Sequence, residues 1–158
     1  MKRLIWASPQ LHWRSDLHLK ILRSVFTAIG FSLATSVAVA QDLKVRIEGA
    51  GDKGTIHLYV FSTAQGFPKE ENAAVHATYP WPGGDFMEIM VKVPDAPGYA
   101  LMAYQDKNED GKMNRFLGMI PQEPYALSRN PQVMGKPKFS DAMINPAENE
   151  TIVLKLRD

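Results

Sequence analysis

From residue 41 onward the apolar positions of this chain fall two apart. Leu43, Val45 and Ile47 alternate with Lys44, Arg46 and Glu48, the pattern of a strand with one core face and one wet face. After the turn Gly49-Ala50-Gly51-Asp52-Lys53-Gly54, Ile56, Leu58 and Val60 alternate with His57, Tyr59 and Phe61, and the two segments together predict a hairpin. Met87, Ile89, Val91 and Val93 alternate with Glu88, Met90 and Lys92, and Pro94-Asp95-Ala96-Pro97-Gly98 turns the chain into residues 99–105, a second predicted hairpin. A weaker extended piece covers 75–79, and Ile152, Leu154 and Leu156 alternate with Thr151, Val153 and Lys155 at the end. No segment sustains an apolar stripe at helical spacing, and ten of the eleven prolines fall after residue 41, between the strand-like runs. About seven short strands separated by turns predict an all-β domain, an antiparallel two-sheet sandwich of the prealbumin-like or immunoglobulin-like kind. A small closed barrel is the alternative architecture.

The first forty of the 158 residues have a different pattern. Basic residues end at Arg23, residues 24–40 carry no charge, and Ala38-Val39-Ala40 precede polar Gln41-Asp42, the order of a secretory leader. The apolar run is interrupted by Gly30 and by serine and threonine, and it is shorter than the roughly 20 strongly apolar residues of a spanning helix. Cleavage after Ala40 is therefore expected, with an uncleaved amino-terminal anchor as the other possibility. The domains predicted are a signal segment over 1–40 and a single β-sandwich over 41–158, periplasmic or secreted, with no transmembrane helix in the mature chain. Removing residues 1–40 takes away five basic groups and one acid, so the formal charge moves from +1 to near −3. That balance gives no warrant for nucleic-acid binding.

Composition removes several chemistries. Without cysteine there is no disulfide, thiol nucleophile, zinc–thiolate or iron–sulfur site. GxSxG and a glycine-rich phosphate loop are both absent. After residue 40 the only histidines are His57 and His76; His57, on the face opposite Ile56 and Leu58, reads as a solvated or half-buried strand histidine rather than a catalytic base. No enzyme class is supported.

The run Asp106-Lys107-Asn108-Glu109-Asp110-Gly111-Lys112-Met113-Asn114 carries the one chemical signal. Oxygen side chains at Asp106, Asn108, Asp110 and Asn114 occupy relative positions 1, 3, 5 and 9, Gly111 occupies 6, and the Lys112 carbonyl would supply 7, the spacing by which a short loop wraps calcium. Position 12 is Leu117, so the usual bidentate acid is missing, with Glu123 or Glu109 as substitutes, and the flanks read as strands instead of helices. The alternative is a polar turn in which Asp and Asn side chains accept backbone amides, with Gly111 at positive φ. Calcium is the only cofactor suggested. The long excursion after Gly118 offers Glu123, Tyr125, Ser128 and Phe139 as candidate ligand or partner residues, or else a cover over one end of the sandwich with Phe139 as its plug. Tyr99 is expected to pack its ring and bond its hydroxyl across the corner before it.

Taken in order, Pro97-Gly98-Tyr99, Asp106-x-Asn108-x-Asp110-Gly111-Lys112, Gly118-x-x-Pro121-x-Glu123-x-Tyr125-x-x-Ser128 and Pro137-x-Phe139-x-Asp141-Ala142 resemble a bacterial family catalogued as domain of unknown function 2141. The resemblance runs from about Leu43 to Leu156, departs at Ala126-Leu127, and implies an exported β-rich single domain in the style of transthyretin-like sandwiches. It implies no activity. The function expected is a non-enzymatic binding or structural module for an unknown protein or small molecule of the cell envelope. A small-ligand carrier with a pocket between the sheets, and a hydrolase pairing Glu123 with Asp106 or Asp110, are the alternatives.

Overall fold

The structure is a computed structural model that describes residues 40–118, 120–132 and 135–157, so the expected leader lies, apart from Ala40, outside the described residues. Among the described residues no helix is long and apolar enough to cross a membrane. The strands are β1 (Ala40–Glu48), β2 (Thr55–Phe61), β3 (Val75–Pro80), β4 (Phe86–Pro94), β5 (Tyr99–Asp106), β6 (Arg115–Phe116), β7 (Ile120–Pro121), β8 (Tyr125–Leu127), β9 (Met143–Ile144) and β10 (Ile152–Lys155). One four-residue helix, α1 (Phe139–Ala142), precedes β9.

The sandwich expected from the alternating pattern is present, as a three-stranded sheet β10-β1-β4 and a five-stranded sheet β3-β2-β5-β8 with β9 on β5. The β1–β10 pair is parallel; β1 and β4 pair antiparallel over their whole length, from Ala40↔Pro94 to Glu48↔Phe86. The inward residues of both sheets, among them Val45, Ile47, Val93 and Leu154 against Ile56, Leu58 and Leu101, form one buried cluster. Neither expected hairpin is a hairpin. β1 and β2 lie in different sheets, and so do β4 and β5. The reason is physical: period-two alternation fixes which face of a strand is buried but not which strand it bonds, and a five- or six-residue turn can arch from one sheet to the other as well as fold back. Buried Gln105 fixes the first arch, accepting a hydrogen bond from Gly51 N–H (2.7 Å) and donating to the carbonyls of Lys53 (2.8 Å) and Gly51 (3.3 Å). Tyr99 holds the second. Its ring is fully buried and its hydroxyl donates across the turn to the Pro94 carbonyl, as expected for that corner.

The other departure is the far face of the five-stranded sheet. His57 on it reads from sequence as solvated or half-buried, yet β5 is buried along all eight residues and β2 along six of seven. Tyr59, Phe61, Ala100, Met102, Tyr104 and Leu127 on that face pack with Phe67, Met113 and Ala142, and half-buried Phe139 is set edge-on to Phe67 at 5.8 Å. The excursion therefore covers a sheet face, not an end of the sandwich, and aromatic side chains at the polar phase of β2 were the trace of it.

Candidate functional site

The 106–114 loop leaves the end of β5, and its base is built on two buried carboxylates. Asp106 Oδ1 accepts from Glu109 N–H (2.7 Å) and Oδ2 from Gly111 N–H (2.8 Å). Glu123, brought beneath the loop by the return of the chain, accepts from Lys107 N–H through Oε1 and from Asn114 N–H through Oε2, both at 3.1 Å. Four carboxylate oxygens thus hold four loop amides, so these backbone donors of the loop find partners at its base. Burial nevertheless pushes the Glu123 pKa up, its two amides opposing that shift and Asp106 and Asp110 adding to it. Gly111 has φ 75°, the positive value the turn requires.

On the outer side Asn108, Asp110 and Asn114 converge. Asp110 Oδ2 accepts from Asn108 Nδ2 (3.2 Å) and Asn114 Nδ2 (3.1 Å), while Asp110 Oδ1 accepts from Lys112 N–H (2.9 Å) and Asn108 Oδ1 from Asp110 N–H (3.3 Å). These are the side-chain-to-backbone turns anticipated for such residues. The bonds to Asn114, Lys112 and Asn108 hold the exposed Asp110 carboxyl below its ordinary pKa. Among the described residues no group of three His, Asp or Glu side chains is placed to hold a metal, so an ion here would depend on the amide oxygens of Asn108 and Asn114 and the Lys112 carbonyl beside Asp110. A cleft of about 350 Å³ opens between Lys107, Asn108, Asn114, Gln122 and Glu123.

The four excursion residues do not share a site. Glu123 belongs to the loop base. Ser128 is interior: its Oγ accepts from Leu101 N–H (2.9 Å) and donates to the Ala142 carbonyl, tying α1 to β5. Tyr125 lines a separate groove with Asn130, Lys155 and Arg157, and Phe139 lies on the covered face of the large sheet. Of the carboxylates a hydrolase pairing Glu123 with Asp106 or Asp110 would use, Glu123 and Asp106 are engaged with backbone amides and Asp110 with the Lys112 amide and the Asn108 and Asn114 side chains.

A polar cluster not anticipated from sequence stands next to the loop. His57 Nδ1 and His76 Nε2 are 3.1 Å apart, and His57 Nε2 is 3.6 Å from Asp106 Oδ2. His57 stacks on Tyr104 at 4.7 Å and His76 on Tyr59 at 4.2 Å. His57 is buried, because the face it shares with Tyr59 is covered. Desolvation first, then neighbouring His57, lowers the His76 pKa; burial first, then neighbouring Tyr59, raises that of Tyr104. The histidines meet through the β2–β3 register, which pairs His57 with Thr78 and Tyr59 with His76. Same-face alternation of His57-x-Tyr59 and His76-x-Thr78 is visible in the sequence, but the register across the long connection between them is not.

Fold and loop together define a two-sheet β-sandwich whose most constructed feature is a loop closed on buried carboxylates. A family model described as "Uncharacterized protein conserved in bacteria (DUF2141)" matches residues 45–153, and the chain belongs to that family. Comparison with curated proteins and with solved structures finds no match.

Proposed function

We propose that this is an exported, non-enzymatic binding module that presents the 106–121 end of the sandwich to a protein partner in the cell envelope. The observation that carries the reading is the β6–β7 hairpin, where Phe116, Leu117 and Ile120 stand 54%, 75% and 59% exposed. Neighbouring large apolar side chains left in water on a projecting hairpin are a common mark of an interaction surface. Leu117 is also held at φ 50°, a conformation unfavourable for leucine. The tip rests on the carboxylate-held loop through Gln122 N–H to the Asn114 carbonyl (2.8 Å) and on Glu70 through Arg115 (2.7 Å). A rigid base presenting an apolar tip suits recognition without induced folding. Export is supported by the leader pattern of residues 1–40, with cleavage after Ala40.

Calcium is the finer part of the proposal. It would sit against Asp110, Asn108, Asn114 and the Lys112 carbonyl and stiffen the loop by linkage. With a single exposed carboxylate the affinity would be weak. The interior between the sheets is filled by side chains, which favours a surface over a carrier pocket.

A photo-crosslinking residue at Leu117, in the chain expressed for export, tests the surface. A discrete adduct from position 117, lost when Phe116 and Ile120 become serine and absent from a probe at Lys136, is expected. No adduct, or the same adducts from both positions, would refute the reading. Melting in chelator and then in millimolar calcium tests the ion: a calcium-specific rise that Asp110→Ala abolishes is expected, and equal melting temperatures would remove it.

A further inference from the structure

The three-stranded sheet has two long edges, and among the described residues only one is closed. Beside β10, Asn130 takes the place of a missing strand: its Nδ2 donates to the Val153 carbonyl (2.9 Å) and its Oδ1 accepts from Lys155 N–H (2.8 Å). The edge of β4 bonds no strand and has no such cap among the described residues. Nine residues of extended backbone are left there, with Phe86 45% and Met90 59% exposed. Met87 and Ile89, which point inward, stay half-buried, and nothing among the described residues closes the sandwich on that side. Bare edges of this length are normally blunted, since they template pairing with another chain.

The charges on β4 point to the occupant. The β1–β4 register sets Arg46 opposite Glu88, Lys44 opposite Met90 and Asp42 opposite Lys92, with ion pairs Lys44–Glu88 (3.0 Å), Arg46–Glu88 (3.7 Å) and Lys92–Asp42 (3.3 Å). Let β4 pair antiparallel with β4 of an identical molecule about a two-fold axis at Met90. Glu88 then faces Lys92 of the second copy, Lys92 faces its Glu88, and the two Met90 side chains meet. Each charged row reads Arg46, Glu88, then Lys92 and Asp42 of the second copy, alternating in sign across both molecules. Shifting the pairing by two residues sets Glu88 against Met90 or Met90 against Lys92 and loses the alternation.

We propose that the protein forms a two-fold dimer through β4, joining the two three-stranded sheets into one six-stranded sheet. The interface is isologous, so each substitution acts twice. The test is light scattering and sedimentation on protein expressed from the full chain and purified as the cell leaves it. Wild type is expected to dimerise with concentration. Glu88→Lys and Lys92→Glu each place like charges opposite one another in two rows, and the dissociation constant should rise about tenfold or more for either variant alone. Mixed, the two variants restore both attractions, and a heterodimer near wild-type strength should return even if each is slightly less stable as a monomer. A wild type monomeric at high micromolar concentration overturns the proposal and leaves the edge to a foreign strand. Dimers indifferent to both variants overturn it by placing the interface elsewhere. Failure of the mixture to reassociate overturns the register.

Discussion

The two edges of the three-stranded sheet are made from the same kind of sequence and end in opposite states. Along β10, Ile152 and Leu154 are buried, Asn130 occupies the outer backbone groups, and Tyr125 exchanges backbone hydrogen bonds with Arg157 (2.9 and 3.0 Å), stitching this side to the larger sheet. Along β4, Met87 and Ile89 are only half-buried and no side chain among the described residues plays the part of Asn130. The lesson is that closure of a sandwich edge rests on a few specific groups, not on strand propensity. Asn130, at φ 48°, can cap because asparagine tolerates the left-handed conformation that aims its amide along the edge.

Perturbing each edge in turn should expose the asymmetry. The largest effect is expected from Leu154→Ala, which empties a fully buried position on the closed edge and should cost about 3 kcal/mol in denaturant unfolding; Met90→Ala on the open edge should cost almost nothing in the monomer. Next is Asn130→Ala, which removes both capping bonds and puts alanine at a positive φ, for roughly 2 kcal/mol. Equal costs for Asn130→Ala and Met90→Ala would erase the distinction. Lys92→Glu should change monomer stability by less than about 0.5 kcal/mol, because its pair with Asp42 is exposed.

The smallest effect concerns pH on the open side, where β3 carries His76. Its native pKa lies below the ordinary value of about 6.5, so the fold favours the neutral ring. This contribution is complete above pH about 6.5 and is lost as pH falls through the lowered native value. His76→Gln should therefore flatten the decline in melting temperature as pH drops below 6.5, and an unchanged slope would show that protonation of His76 is not coupled to folding.

Much of this molecule was legible in the sequence, and the illegible parts share a cause. The strand faces of β1, β4 and β10, the corner role of Tyr99 and the amide-accepting turns of Asn108 and Asp110 follow from alternation and local side-chain chemistry. The sheet partners of β1 and β4, the burial of His57 and the interior position of Ser128 depend on register and on what lies across a face, which nearest neighbours in sequence do not encode. Glu123 falls between the two. It was one of two substitutes, with Glu109, for the missing acid of the loop, and its work as acceptor for the Lys107 and Asn114 amides needs the return path of β7 to be known.

Amide hydrogen exchange at two protein concentrations is the most direct test of the account, in which β10 is closed by its own chain and β4 by a second copy. The outer amides of β10, Lys155 among them, should be protected equally in dilute and concentrated samples, while those of β4 that do not bond β1 should exchange freely when dilute and become protected when concentrated. β4 amides that exchange at the same rate in both samples, or a Lys155 amide as open as its β4 counterparts, would contradict it.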